Sequence, residues 1–310
     1  MVGSWLVKRL IKEGALISAL IYQEEEGSEL IRSGDIHQIV CVRGDLRNIE
    51  FIDELLKANG AEIVFHLGAQ TIVGDALVNP LVTFDSNIRG TWNLMESVRL
   101  NSNKIKSVVV ASSDKAYGTS KFLPYDENTP LMGEGPYDVS KSCTDLIARS
   151  YFKTYGVPVV IARCGNIYGG GDLNWSRIVP GTVRSLLEGN TPKIRSNGKY
   201  LRDYIYVEDA VDAYMRMAKS AFEGKAHGEA FNFSREEPID VLDIYSEICS
   251  ATIGNYVTPT IMDCAPHEIV DQHLSSKKAR ETIGWESQYT LSEGLKTTVD
   301  WYKKYIFTKS

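Results

Sequence analysis

Ser112-Ser113-Asp114-Lys115-Ala116-Tyr117-Gly118, at the end of the apolar run 107–112, and Tyr137-Asp138-Val139-Ser140-Lys141 further along decide how this chain is read. The first stretch ends a strand in a polar turn, and the second opens a helix. A Tyr and a Lys four apart share one helix face, one turn from each other. An ammonium there favours the phenolate and lowers the tyrosine pKa. A tyrosine so tuned takes a proton from a sugar or alcohol hydroxyl near neutral pH, and Ser113 is placed to hydrogen-bond the same hydroxyl. The combination suits hydride transfer to a nicotinamide.

Outward from this pair, the first part of the chain alternates short apolar runs with helical patterns. Residues 3–13 have helical periodicity and stop at Gly14, and 15–22 read as a buried strand. Further strands are expected at 38–43, 62–66, 107–112 and 158–163, and helices near 48–58, 87–100 and 137–155. Strands apolar on both faces and separated by helices imply an α/β fold with a doubly wound, mostly parallel sheet. Ligands bind such sheets at the carboxyl ends of strands. That makes the turns Arg43-Gly44-Asp45, His66-Leu67-Gly68-Ala69-Gln70 and Cys164-Gly165-Asn166 candidate contacts. At Gly169-Gly170-Gly171 the rhythm changes, and the run reads as a hinge. Helices near 176–189, 208–222, 239–253 and 291–305 follow, with short strands near 193–195, 204–207, 229–233 and 258–262. The chain is therefore read as 1–170, a cofactor-binding domain, and 171–310, a smaller α+β cap that returns in part to the main sheet.

The 310 residues suffice for a full α/β core. A net charge of −6 argues against nucleic acid as the main partner. No apolar run reaches the ~18 residues of a membrane span, and no signal peptide is visible, with Lys8, Arg9 and Lys12 set in a helical pattern. The five cysteines have no C-x-x-C spacing and fit small buried groups in a reducing cytoplasm. His267 and His273 have no metal-ligand company, so no metal is expected. Glu24-Glu25-Glu26 reads as a solvated loop.

Taken in order, these pieces resemble the extended short-chain dehydrogenase/reductases that act on nucleotide sugars, the epimerase/dehydratase group. The resemblance runs from Gly3 to about Tyr305. It rests on Gly44-Asp45-Leu46, His66-Leu67-Gly68-Ala69-Gln70, Asn87-Ile-Arg-Gly90-Thr91, the Ser113, Tyr137 and Lys141 set, Arg163-Cys164-Gly165-Asn166-Ile-Tyr168-Gly169, Arg202-Asp203-Tyr204 through Asp209, and Gly284-Trp285. It implies a Rossmann-like domain, a substrate cap, bound NAD and a homodimer built on helices 87–100 and 137–155. The cofactor contacts it implies are Gly3, Asp45, Leu46, Leu67, Ala69, Asn87, Tyr137, Lys141 and Cys164. Asn166, Arg202 and Arg177 would take the substrate pyrophosphate, guanidinium groups gripping phosphate in a bidentate manner.

Within the group, Asp114-Lys115 after the catalytic Ser113 resembles the CDP-glucose 4,6-dehydratases and the inverting dehydratases of UDP-N-acetylglucosamine, and the chain as a whole is most like the CDP-glucose or GDP-mannose 4,6-dehydratases. The implied reaction starts with a proton taken by Tyr137 and C4 hydride loss, with Lys141 holding the nicotinamide ribose and keeping Tyr137 acidic. Asp114 then serves as acid and Lys115 as base for water loss, giving a 4-keto-6-deoxy sugar. A 4-epimerase, and a non-catalytic binding protein, are the alternatives. Plainer readings stand beside these: Lys115 as a solvated lysine, Arg177 as a surface residue, Asp45 as the cap of the helix near Asn48, and His66 as structural.

Two departures from the pattern stand out. The second strand ends Ile21-Tyr22-Gln23, without the acidic residue that binds the adenosine ribose. Gln23 does not repel a 2′-phosphate, so NADP stays open beside NAD. The chain also begins within its glycine fingerprint, Gly3 matching only the third glycine. The expectation is that Met1 is an internal methionine, and that a gap with unpaired backbone groups separates two parallel strands.

Overall fold

The structure is a computed structural model and describes residues 1–101, 104–264 and 269–307; His267 lies outside them. Its centre is built from valine-rich runs. Strands β4 (Ser107–Ala111) and β5 (Val159–Cys164) pair in parallel, Val110 opposite Ile161 and Ala111 opposite Ala162. β3 (Ile63–His66) lies beside β4, and β10 (Ala230–Phe233) beside β5, giving the order β10-β5-β4-β3. All six β5 residues are buried, because helices cover both faces of the sheet. On one face helix Val2–Lys12 and helix Val207–Phe222 pack on Val109, Val160 and Ala162; on the other, helices Gly90–Leu100 and Pro136–Tyr155 supply Leu94, Met95, Val98 and Ala148.

β1 (Ser18–Ile21) and β2 (Val40–Arg43) form a separate parallel pair, with no ladder to the four-stranded sheet among the described residues. The gap expected from the sequence is present. Its consequence is visible in the burial: no residue of β1 or β2 is buried, and in β3 only His66 is.

The later strands are short: β6 (Asn166–Tyr168), β7 (Lys193–Ile194), β8 (Leu201–Arg202), β9 (Tyr204–Tyr206), β11 (Ile239–Asp240), β12 (Thr260–Ile261) and β13 (Asp271–Gln272). They make the small sheets β6-β9, β12-β7 and β11-β8-β13. Helices Ile178–Leu187, Val241–Ile253 and Leu291–Phe307 complete this part around Tyr204, Tyr206, Ile244 and Tyr302. Asp209 joins its motif to the last helix. Its carboxylate accepts from Gln288 N at 2.8 Å, and its carbonyl accepts from Trp285 Nε1 at 3.1 Å.

Two local expectations change. Gly169-Gly170-Gly171 is not a hinge: all three are buried, and a Cβ on Gly170 would lie 2.3 Å from the Trp301 ring. The glycines allow close packing. The helix expected at 87–100 runs Gly90–Leu100 and is preceded by a π-helical turn, Asp85–Arg89, which itself follows helix Pro80–Phe84. Such turns insert an extra residue into a helix and often mark functional positions.

Candidate active site

The site begins where β4 ends. Ser113 caps the 3-10 turn Asp114–Tyr117, its Oγ accepting from Lys115 N at 3.2 Å and donating to Asp114 Oδ1 at 3.0 Å. Gly118 ends the turn at φ +67°, and a Cβ there would meet the Met132 carbonyl oxygen at 2.0 Å, so only glycine fits. Helix Pro136–Tyr155 starts with Pro136 in its first turn and stops at left-handed Gly156. Ser142 Oγ donates to the Ala116 carbonyl at 2.8 Å, fixing the helix to the 3-10 turn.

A second brace ties the same helix to β5. Arg163 Nε and Nη2 donate to Asp145 Oδ2 and Oδ1 at 2.7 and 2.9 Å, and Nη1 donates to Tyr117 Oη at 2.8 Å. Tyr117 in turn donates to Asn232 Oδ1 at 2.7 Å. Both ion-pair side chains are essentially inaccessible, 1% and 0% exposed. Burial pulls the Arg163 guanidinium down, but Asp145 overrides it and holds the group firmly charged.

Tyr137 and Lys141 do share a face, with Lys141 Nζ 6.0 Å from the Tyr137 ring centre. The electrostatics differ from the sequence reading. Lys141 donates to the Ala111 carbonyl at 2.8 Å, and burial pushes its pKa down to about 8. Burial pushes the Tyr137 phenol up to about 12, opposed first by the Arg177 charge and then by Ser113. Burial dominates both groups, and Lys141 is not among the charges that bear most on Tyr137. Asp114 is 3% exposed, and burial raises its carboxyl pKa against the pull of Lys115 and Ser113. Lys115 is half-buried, its charge acting on both Asp114 and Asp138.

The implied cofactor contacts gather at strand ends. Asp45 and Leu46 follow β2; Leu67 and Ala69 follow β3. The two turns touch, since a Cβ on Gly68 would lie 2.5 Å from Leu46 Cδ1. Asn87, in the π turn, accepts from Gln70 N at 2.7 Å and donates to Ser140 Oγ at 2.8 Å, linking the β3 turn to the tyrosine helix. The Asp45 carboxylate is gripped by Arg47 Nε and Nη2, which holds it below the usual carboxylate range. Asn48, not Asp45, caps helix Ile49–Asn59 with its side chain. Cys164 is buried at the end of β5, its thiol pushed up to about 12. His66 is buried against Thr91 Oγ1 at 3.0 Å and pushed down to about 3, which keeps it neutral and structural. Gly3 lies in the first turn of helix Val2–Lys12. Ser112 Oγ, next in sequence to Ser113, is buried and has no hydrogen-bond partner among the described residues.

Of the substrate candidates, Asn166 opens β6, its N–H donating to the Asp203 carbonyl at 2.9 Å. Arg177 is 3.0 Å from Asp172 Oδ2 and 40% exposed. Arg202 is buried, donating from Nη1 to the Leu201 and Val270 carbonyls at 2.8 and 2.7 Å and from Nη2 to the Ile269 carbonyl. Among the described residues no group of His, Cys, Asp and Glu could hold a metal ion, and no helix is long and apolar enough to cross a membrane.

Sequence reading gave no role to Asp138, Asp145 or Arg163. A signal for the last two existed: an arginine inside a fully apolar strand demands a buried anion, and Asp145 stands four residues after Lys141 on the same helix face.

A sequence profile described as GDP-mannose 4,6 dehydratase matches residues 1–298. The chain belongs to that family, the nucleotide-sugar epimerases and dehydratases of the extended short-chain dehydrogenase/reductase group. It is similar to the CDP-glucose 4,6-dehydratase of Salmonella typhimurium, 30% identical over 98% of this chain and 88% of that protein. A putative UDP-glucose 4-epimerase of Methanocaldococcus jannaschii is 31% identical over 84% of this chain and 83% of that protein. The solved structure of a dTDP-glucose 4,6-dehydratase from Bacillus anthracis in complex with NAD superposes with a TM-score of 0.84 at 25% identity, covering 98% of this chain and 94% of that one.

Proposed function

We propose that this chain is a nucleoside-diphosphate-hexose 4,6-dehydratase that works with a retained NAD. The observation carrying the reading is Asp114: a buried carboxyl, hydrogen-bonded to Ser113 and raised in pKa, is equipped to give a proton to a departing hydroxyl. When bound, NAD would supply reversible hydride acceptance between C4 and C6 of the sugar. Ser113 orients the C4 hydroxyl, and Tyr137 accepts its proton. Because burial sets the phenol high, its basic form depends on cations beside it, among which Arg177 acts most strongly. The 4-keto group acidifies C5–H; Lys115 in its neutral form takes that proton, Asp114 protonates the C6 hydroxyl, which leaves as water, and Lys115 gives the proton back to C5 as C6 is reduced. Asn166, Arg177 and Arg202 face the pyrophosphate, with residues 1–170 holding the cofactor and 171–310 receiving most of the sugar.

A 4-epimerase is the second reading, favoured by the Methanocaldococcus relative. Incubation with NAD and each of the CDP-, GDP-, UDP- and dTDP-hexoses separates the two. Absorbance in strong alkali detects a 4-keto-6-deoxy product, and a C4-inverted hexose without that signal refutes the dehydratase.

The free state of all five cysteines supports a cytoplasmic enzyme. Exposed Leu81, Trp92 and Leu146 on neighbouring helices, with a surface cleft between Trp92 and Val139, support a homodimer through that face.

A further inference from the structure

The loop 22–26 leaves the carboxyl end of β1, and all five of its residues are exposed. Ligands of doubly wound sheets lie off such strand ends, and in the dinucleotide-binding arrangement this end takes the adenosine ribose. A ladder to the main sheet would fix the loop, but the β1–β2 pair has none among the described residues. The exposed ion pair Arg43–Glu24 is a weak hold. Immediately after the loop, the chain is gripped by two distant helices. Gly27 is buried, and a Cβ on it would lie 2.7 Å from Leu173 Cδ1 and 2.9 Å from Tyr305 Oη. Glu29, 7% exposed, accepts from Lys8 Nζ on the first helix at 2.7 Å and from Trp301 Nε1 on the last helix at 2.6 Å. The Trp301 and Tyr305 rings stack with centres 5.1 Å apart, and the Arg32 guanidinium lies 5.5 and 4.9 Å from those centres. Apolar contacts would join the same elements without desolvating a charge, whereas a carboxylate between two directional donors fixes where the segment stands. Tyr302, next to Trp301, donates to the Asp172 carbonyl at 2.6 Å, and Asp172 is the ion-pair partner of Arg177. One turn of the last helix thus reaches both the loop and a substrate candidate.

We propose that Glu29 and Trp301 are positioning residues for the dinucleotide: they set where loop 22–26 meets the adenosine ribose, without touching the cofactor themselves. The last helix, far along the chain from the cofactor-binding strands, then serves the cofactor as well as the cap. This inference rests on the NAD of the proposed reading, and not on which sugar reaction follows.

The test uses the full chain freed of bound cofactor, comparing wild type with Trp301→Phe, Glu29→Leu and Glu29→Gln. Trp301→Phe keeps a ring on Tyr305 and loses the N–H donor; Glu29→Gln keeps an acceptor for the indole. Calorimetric titrations with NAD, and with ADP-ribose, which lacks the nicotinamide, are run well below each variant's melting temperature. The expected result is that Trp301→Phe and Glu29→Leu weaken NAD and ADP-ribose by the same factor, about fivefold or more, and that Glu29→Gln recovers part of the loss. Unchanged ADP-ribose affinity in Trp301→Phe and Glu29→Leu, with lowered melting temperatures, overturns the proposal and leaves the clasp a role in stability alone. Weakened NAD with unchanged ADP-ribose also overturns it, because the effect then lies at the nicotinamide end. Wild type that binds neither ligand defeats the NAD reading along with this inference.

Discussion

Replacing Asp145 by Leu isolates the brace between the tyrosine helix and β5. The change removes two charge-assisted hydrogen bonds, at 2.7 and 2.9 Å, and leaves Arg163 beside an apolar side chain with its side chain 1% exposed. Tyr117 Oη and, at 3.3 Å, the Glu127 carbonyl remain as acceptors, but neither carries a charge. Breaking a buried pair by removing one partner costs about 3–5 kcal/mol. At about 2–4 °C per kcal/mol for a chain of this order of size, the melting temperature should fall by roughly 6–20 °C. Circular dichroism melts and urea titration both report it. The double variant Arg163→Met/Asp145→Leu removes the stranded charge and should recover most of the loss, a coupling that a double-mutant cycle isolates. A single Asp145→Leu variant within about 1 kcal/mol of wild type would refute the argument that this pair holds the site's helix in place.

Asp114→Asn should abolish formation of the 4-keto-6-deoxy product while C4 oxidation persists, followed as transient NADH absorbance; normal water loss would remove Asp114 from the reaction. Stability should also respond to acid through His66. Its folded pKa lies near 3 against an unfolded value of 6.5, so the unfolded chain binds the extra proton between those values. Stability then drops as pH falls through that window, by about 1.4 kcal/mol per pH unit from this group, and His66→Gln should flatten the slope. Asp203, raised to about 6 mainly by burial, acts oppositely: its cost is full above pH 6 and disappears towards pH 4. Asp203→Asn should therefore stabilise the protein most at neutral pH, and equal melting shifts at pH 4 and 7 would contradict this. Trp92→Glu should convert a dimer into monomers in light scattering.

What the sequence made legible follows from which forces it encodes. The runs 107–112 and 158–163 announced β4 and β5 because burial on both faces leaves only apolar residues. The shared helix face of Tyr137 and Lys141 was legible from their spacing. Their electrostatics were not, because spacing records charge neighbours and is silent on desolvation, which dominates both Tyr137 and Lys141. The π turn at Asp85–Arg89 left no trace in a 3.6-residue periodicity that it interrupts. Gly170 looked like freedom and turned out to be a close contact with Trp301, since composition alone does not distinguish the two uses of glycine.

The separate β1–β2 pair carries a consequence for how the molecule opens. A two-stranded unit is marginal on its own, and among the described residues this one has no ladder to β3. Its backbone amides should exchange with solvent deuterium through local opening, far faster than those of β4 and β5, which wait for global unfolding. Among the described residues the outer edge of β3, with Ile63 exposed on it, has no strand partner, which makes it a template for strand addition by another chain. Concentrated protein held just below its melting temperature should therefore aggregate through this edge first, and Ile63→Lys should delay it.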